Sequence, residues 1–191
     1  MMKQTMKFGI IGMVAFAIFS FAMVTSENKQ IDISESTIEW IGKKITGQHA
    51  GTIDFESGYL TFEAQELVGG FFVVNMNSIN VTDLEGEGKA NLEGHLKSED
   101  FFGVAENPTS QLVFTEVKGS AGNYQITADL TIKEIIAPVQ FELNLTENTG
   151  SASFVIDRTK YDIRYGSASF FNNLKNKAID NEFELLVSLK F

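Results

Sequence analysis

The chain contains no cysteine, only two histidines and one tryptophan, and fewer basic than acidic residues. Without cysteine, no disulfide can staple the fold and no N-terminal lipid anchor of the bacterial lipoprotein kind can form. Stability therefore has to come from a core. The 191 residues are 43% hydrophobic with 17 Phe, enough for one domain with a sizeable interior. The two histidines, His49 and His95, lie far apart with no His-x-His spacing. Zinc takes three or four close donors, so no metal is expected, and nothing implies another cofactor. There is no G-x-S-x-G elbow. Ser98-Glu99-Asp100 beside His95 reads as a helix end and cap, not as a triad, so no enzyme is expected. With 15 Lys and Arg against 25 Asp and Glu, the formal net charge is −10. No basic cluster stands out, which excludes nucleic acid as a partner and disfavours electrostatic adhesion to anionic lipid.

The N-terminus is a separate object. Lys3 and Lys7 precede the uncharged run Phe8 to Val24, after which the chain turns polar. That layout predicts a secretory signal peptide over residues 1–26, cleaved after Ser26 or Ala22, with an uncleaved anchor as the rival. Its removal takes away two lysines and no acid, so the charge moves from −10 to −12. Export without disulfides fits a bacterial periplasm.

Beyond residue 30 the texture is that of strands. Tyr124, Ile126, Ala128, Leu130 and Ile132 alternate with polar residues, as do Val139, Phe141, Leu143 and Leu145, and Phe183, Leu185, Val187, Leu189 and Phe191. Period two with regular turn signals predicts an antiparallel barrel or sandwich. Two segments break the texture, Gly86–Lys97 and Ser169–Ala178, and both are expected to be short helices or ordered loops. The alternation alone does not say which way it faces. An outer-membrane barrel turns its apolar residues to lipid. One Trp and four Tyr are too few for two aromatic girdles, and short runs such as Gln111–Val117 do not reach across a bilayer.

Several stretches, in order, carry a family resemblance: Trp40-Ile-Gly-Lys-Lys44 with Gly47-Gln-His49-Ala-Gly51; Gly70-Phe71; His95-Leu96-Lys97-Ser98 with Asp100-Phe101-Phe102; Asn107-Pro108 before Leu112-Val-Phe114; Asp129-Leu-Thr-Ile-Lys133 with Pro138-Val139; and Ile156-Asp157-Arg158. The chain resembles the YceI-like family of periplasmic lipid- or polyisoprenoid-binding proteins over about residues 30–191. It departs from the family pattern at Glu93, at Glu134 where a glycine is common, at Tyr161-Asp162, and at Lys43-Lys44 where a nearby histidine is absent. The resemblance implies an all-β fold: an extended antiparallel lipocalin-like barrel of about eight strands, over residues 27–191, with one or two short helices. It implies a hydrophobic cavity that holds an isoprenoid or other long-chain lipid, and apolar residues that face inward. Transient membrane contact is the other expected partner, and the oligomeric state is left open. The alternatives are an outer-membrane barrel and an enzyme acting on a lipid held in the cavity.

Candidate lining residues are Trp40, Phe55, Phe71, Phe114 and Phe141. Phe72 is also a candidate, but neighbours on one regular strand cannot both face inward. Leu96 and one or both of Phe101 and Phe102 are expected to anchor a covering helix over the cavity. His95 would fix that helix by a hydrogen bond to Glu93 or Asp100, and only secondarily touch ligand. His49 shares its phase with Ile53 and Phe55 and is placed at the cavity mouth. Arg158 shares its phase with Phe154 and Ile156. An inward arginine needs an anion, either a ligand phosphate or an internal carboxylate such as Asp100, Asp129 or Glu93.

Overall fold

The computed structural model describes residues 25–172, 174 and 177–191. Most of the expected signal peptide, residues 1–24, lies outside the described residues. The elements run β1 (Ser26–Gln30), β2 (Thr37–Lys44), β3 (Gly47–Glu63), β4 (Glu66–Val81), α1 (Gly86–Lys97), β5 (Thr109–Ser120), β6 (Asn123–Ile132), β7 (Ile135–Leu145), β8 (Thr149–Asp157) and β9 (Ile179–Lys190). A 3-10 turn, Arg158–Tyr161, follows β8. All pairings are antiparallel, in the order β3-β2-β9-β8-β7-β6-β5-β4, and β4 pairs back onto β3. That closes an eight-strand barrel, and closure removes the free edges of an open sheet. The short β1 adds to the far half of β3, Tyr59 to Glu63.

The alternation faces inward. Tyr124, Ile126, Ala128, Leu130 and Ile132 are all buried on β6, while Gln125 between them is exposed. On β3 the buried set changes parity, from Ile53 and Phe55 to Leu60. A strict period of two cannot do that, and the ladder to β4 shifts register between Phe55 and Ser57. The extra residue turns the second half of the strand back to the core. A second irregularity on β4 does the same for Met76 and Ile79. There Ser78 Oγ donates to the Asn75 carbonyl at 2.6 Å and accepts from the Asp54 N–H at 2.7 Å.

The helix forms where expected, over Gly86–Lys97, although three of its residues are glycine and its N-cap side chain makes no capping bond. Tertiary contacts replace local propensity. Glu93 Oε1 accepts from the Val81 N–H at 2.9 Å, and Lys89 Nζ donates to Asn80 Oδ1 at 2.8 Å. At its other end Ser98 donates to the His95 carbonyl from both N and Oγ. The expectation of a second short helix or ordered loop over Ser169–Ala178 resolves as turns among the described residues: Phe170 and Phe171 N–H both donate to the Ser167 carbonyl. Residues 173, 175 and 176 lie outside the described residues.

Candidate functional site

The barrel is hollow. One chamber, with about 870 Å³ of atom-free space including its open mouth, is lined by Trp40, Ile53, Met76, Leu96, Phe101 and Phe102 among others. A second, with about 540 Å³ of atom-free space including its opening to solvent, is lined wholly by apolar side chains, including Phe55, Phe72, Phe114, Phe141 and Phe154. Ile38, Val74, Leu130 and Leu185 belong to both walls, so the two chambers abut along the barrel axis. The lining is more apolar than a small polar metabolite needs.

The first chamber opens where its lining becomes charged. Lys43, Asp180 and Glu182 line it and are exposed. The opening has a local cause. The β2–β9 ladder pairs Gly42 with Phe183 and then Lys44 with Ile179, so residues 180–182 bulge opposite Lys43. Gly42 leaves open space where a Cβ would stand. Trp40 sits just inside, its Nε1–H donating to the Thr52 carbonyl at 3.2 Å. Gly51 makes room for it, because any Cβ there would strike the Trp40 ring and the Asn80 carbonyl.

Among the described residues Arg158 is the one buried charge in the wall, 2% exposed. The internal carboxylate expected for it is not its partner. No carboxylate lies within ion-pair distance of it among the described residues. Instead its Nε–H, Nη1–H and Nη2–H donate to the carbonyls of Asp180 (3.0 Å), Ile163 (2.7 Å) and Ile179 (3.1 Å). The planar fork suits this, since one guanidinium can reach three acceptors. Its face lies over the Phe101 ring at 5.5 Å. Burial lowers its pKa, and the charges of Asp157 and Asp180 oppose that fall. The three carbonyls flank the loop between β8 and β9, so Arg158 clasps both roots of that loop. Behind it Tyr161 is fully buried, and burial, with the charge of Asp157, pushes its phenol up to about 12, so it stays neutral.

Of the other expected site residues, Trp40, Leu96, Phe101 and Phe102 line the first chamber and Phe55, Phe114 and Phe141 the second. Both Phe101 and Phe102 face in because they stand on a turn after α1, not on a strand. Phe71 does not line either chamber. It stacks on the outer face opposite Tyr59 at 5.7 Å, and Phe72 takes the inward place, as strand alternation requires of one of the two. His49 keeps its phase but sits at the rim outside both linings, its Nδ1 bonded to Asp83 Oδ2 at 2.9 Å. For Asp83, burial raises the pKa, but the bonds from His49 and the Ala50 backbone outweigh it and leave the carboxyl below its usual value. His95 makes neither expected bond. Glu93 is taken by Val81, and His95 Nε2 is buried without a hydrogen-bond partner among the described residues. Its ring packs instead on Tyr165 at 4.3 Å and edge-on to Phe101 at 5.6 Å, outside the chamber lining. Sequence reasoning missed Gly42, Lys43, Asp180 and Glu182 as mouth residues. Their signal is a bulge between two strands distant in sequence, and no local pattern encodes it.

Comparison with known proteins gives the same fold. The crystal structure of Burkholderia cenocepacia BcnA superimposes with a TM-score of 0.66 at 16% identity, covering 83% of this chain and 98% of that one. A polyisoprenoid binding domain from Saccharophagus degradans superimposes with a TM-score of 0.58 at 15% identity, covering 87% and 98%. In sequence, a UPF0312 protein of Pseudomonas aeruginosa is 33% identical over 72 residues, and the match spans 38% of this chain and only 35% of that relative's length. The YceI-like domain matches residues 30–191, and the chain belongs to that family.

Proposed function

We propose that the protein binds an isoprenoid or similar long-chain amphiphile, with its tail in the two chambers and its head group at the mouth beside Lys43, Arg158, Asp180 and Glu182. The observation that carries this reading is the pair of abutting apolar chambers, the first of them opening at a charged mouth. Transfer of an alkyl chain from water gains about 0.8 kcal/mol per CH₂, so an aqueous compartment needs such a sleeve to hold a long tail. The resemblance to the polyisoprenoid binding domain from Saccharophagus degradans supports the same ligand class. The reading includes export to the periplasm behind the N-terminal signal, and binding without turnover. Among the described residues the linings contain no histidine, and Ser110, the one hydroxyl among them in the first chamber, donates to the Thr131 carbonyl at 2.7 Å. Nucleophile and base are therefore not brought together there.

Trp40 provides the test, since it is the only tryptophan and lines the first chamber. Titration with geranylgeraniol is expected to shift and saturate its emission, and native mass spectrometry of purified protein is expected to show a solvent-extractable mass. An unresponsive Trp40 together with a single apo mass would overturn the reading.

A further inference from the structure

One end of the barrel differs in character from the rest of the molecule. Between residues 158 and 178 the described charges are Arg158, Lys160, Arg164 and Lys177 against Asp162; Arg158 is buried and Arg164 pairs with Asp162 at 2.6 Å, and the exposed acids Asp180 and Glu182 follow at the mouth beside Lys43 and Lys44. This same end exposes large apolar side chains: Ile45 at 64%, Tyr165 at 47%, Phe170 at 46% and Phe171 at 50%. Backbone bonds hold the two loops together. Ile45 N–H donates to the Ala178 carbonyl, Ile179 N–H donates to the Gly166 carbonyl, and Lys44 pairs with Ile179. The Arg164 guanidinium lies over the Phe170 ring at 4.9 Å, leaving the ring edge in solvent. Arg158 and Ile179, which bracket the loop, both line the first chamber, as does Lys43 beside Lys44. The apolar tips and basic flanks therefore surround the mouth.

We propose that this end docks on an anionic lipid surface, with Ile45, Phe170 and Phe171 entering the interface and Lys44, Arg164 and Lys177 meeting the head groups. Exposed aromatic rings flanked by basic side chains match a membrane interface, where rings sit at head-group level and cations lie against anionic lipid. The global acidity that disfavours adhesion acts over the whole surface, but charge contacts are screened within about a Debye length, so Lys44, Arg164 and Lys177 beside the exposed rings act at contact range, against Asp162, Asp180 and Glu182. A bilayer is also the place from which a long tail enters the chamber, and for that reason the proposal rests on the lipid-binding reading. The anchor residues are firm: Ile163 and Ser167 are fully buried beneath the loop, so the exposed rings are presented by packed backbone.

The experiment is flotation of the protein with vesicles of phosphatidylcholine containing phosphatidylglycerol, against vesicles of phosphatidylcholine alone. Binding is expected to the first, to weaken with added salt, and to be lost in Phe170→Ser/Phe171→Ser. Lys44→Gln and Lys177→Gln are each expected to lower partitioning about fivefold. Ile33→Ser, on an exposed residue at the opposite end, is expected to change nothing. Wild-type protein that does not float, or a double serine variant that floats as well as wild type, overturns the proposal. So does concentration-dependent self-association, by sedimentation, that the same double variant abolishes, because the patch would then serve a second copy. The Trp40 titration with geranylgeraniol separates the two readings. Flotation with a silent Trp40 leaves docking standing without tail binding, and a responsive Trp40 without flotation overturns docking alone.

Discussion

Replacing Arg158 with methionine keeps much of the side-chain length and removes the clasp on the β8–β9 loop. Three carbonyls, those of Ile163, Ile179 and Asp180, then lose their donor. A hydrogen bond from a charged donor contributes about 1.5–3 kcal/mol, so three amount to roughly 5–9 kcal/mol gross. Burying an ion opposes this with several kcal/mol, and methionine avoids that penalty. The net loss is expected to be about 2–4 kcal/mol, since the orphaned carbonyls sit at loop roots that water can reach once the loop loosens. For a domain of this size that is a fall in Tm of roughly 5–15 °C. Thermal melts followed by circular dichroism measure it. Limited proteolysis adds the local readout, with new cleavage expected in residues 164–172. Arg158→Lys should fall between the two, because one ammonium on a flexible stem cannot reach three acceptors in a plane. A methionine variant that melts within about 2 °C of wild type, with no new cleavage, would refute the clasp; that margin is under 1 kcal/mol for such a domain.

Other predictions follow from the chambers, the rim and one turn. Gly42→Phe, built into open space at the mouth, should keep the fold and slow geranylgeraniol uptake measured by stopped-flow Trp40 emission. Ala152→Phe fills the second chamber, so affinity for long isoprenoids should fall while that for a short one such as geraniol is kept, by the same titration. Asp83→Asn removes the rim pair with His49. Because the folded carboxyl lies below its ordinary 3.8, its stabilisation is present above that pH and lost as pH falls through the folded value. Urea midpoints of wild type and Asp83→Asn should therefore converge below pH 3.8. Glu134 stands at φ 61° in the two-residue turn between β6 and β7. Glu134→Gly relieves that left-handed conformation and should raise stability by about 1 kcal/mol in a denaturant titration.

The last of these ties a departure in sequence to its physical meaning. Glycine is common at that place in the family because the turn needs positive φ at both central residues, Lys133 and Glu134. Two of the other departures lie near the mouth. Lys43 lines it, and Tyr161 is buried behind the arginine clasp.

Strand identity was legible because side chains on a strand alternate, and β6 and β7 carry that period without a break. The helix was legible from the loss of that period between Gly86 and Lys97, and most of the lining phenylalanines from their phase. The period is blind to face, and only closure of β4 onto β3 turns the apolar side inward. It is blind to bulges as well, so the parity change on β3 and the opening at residues 180–182 come from pairing between distant strands. Most of all it is blind to backbone direction. A buried arginine reads as a demand for an anion, yet three carbonyls from residues 163, 179 and 180 converge on Arg158. Every residue type supplies that acceptor, so no residue pattern announces it. The sequence by itself determined the strands, their apolar phase and an unstapled core; only the tertiary structure decided which partners hold the charge at the wall, and where the barrel opens.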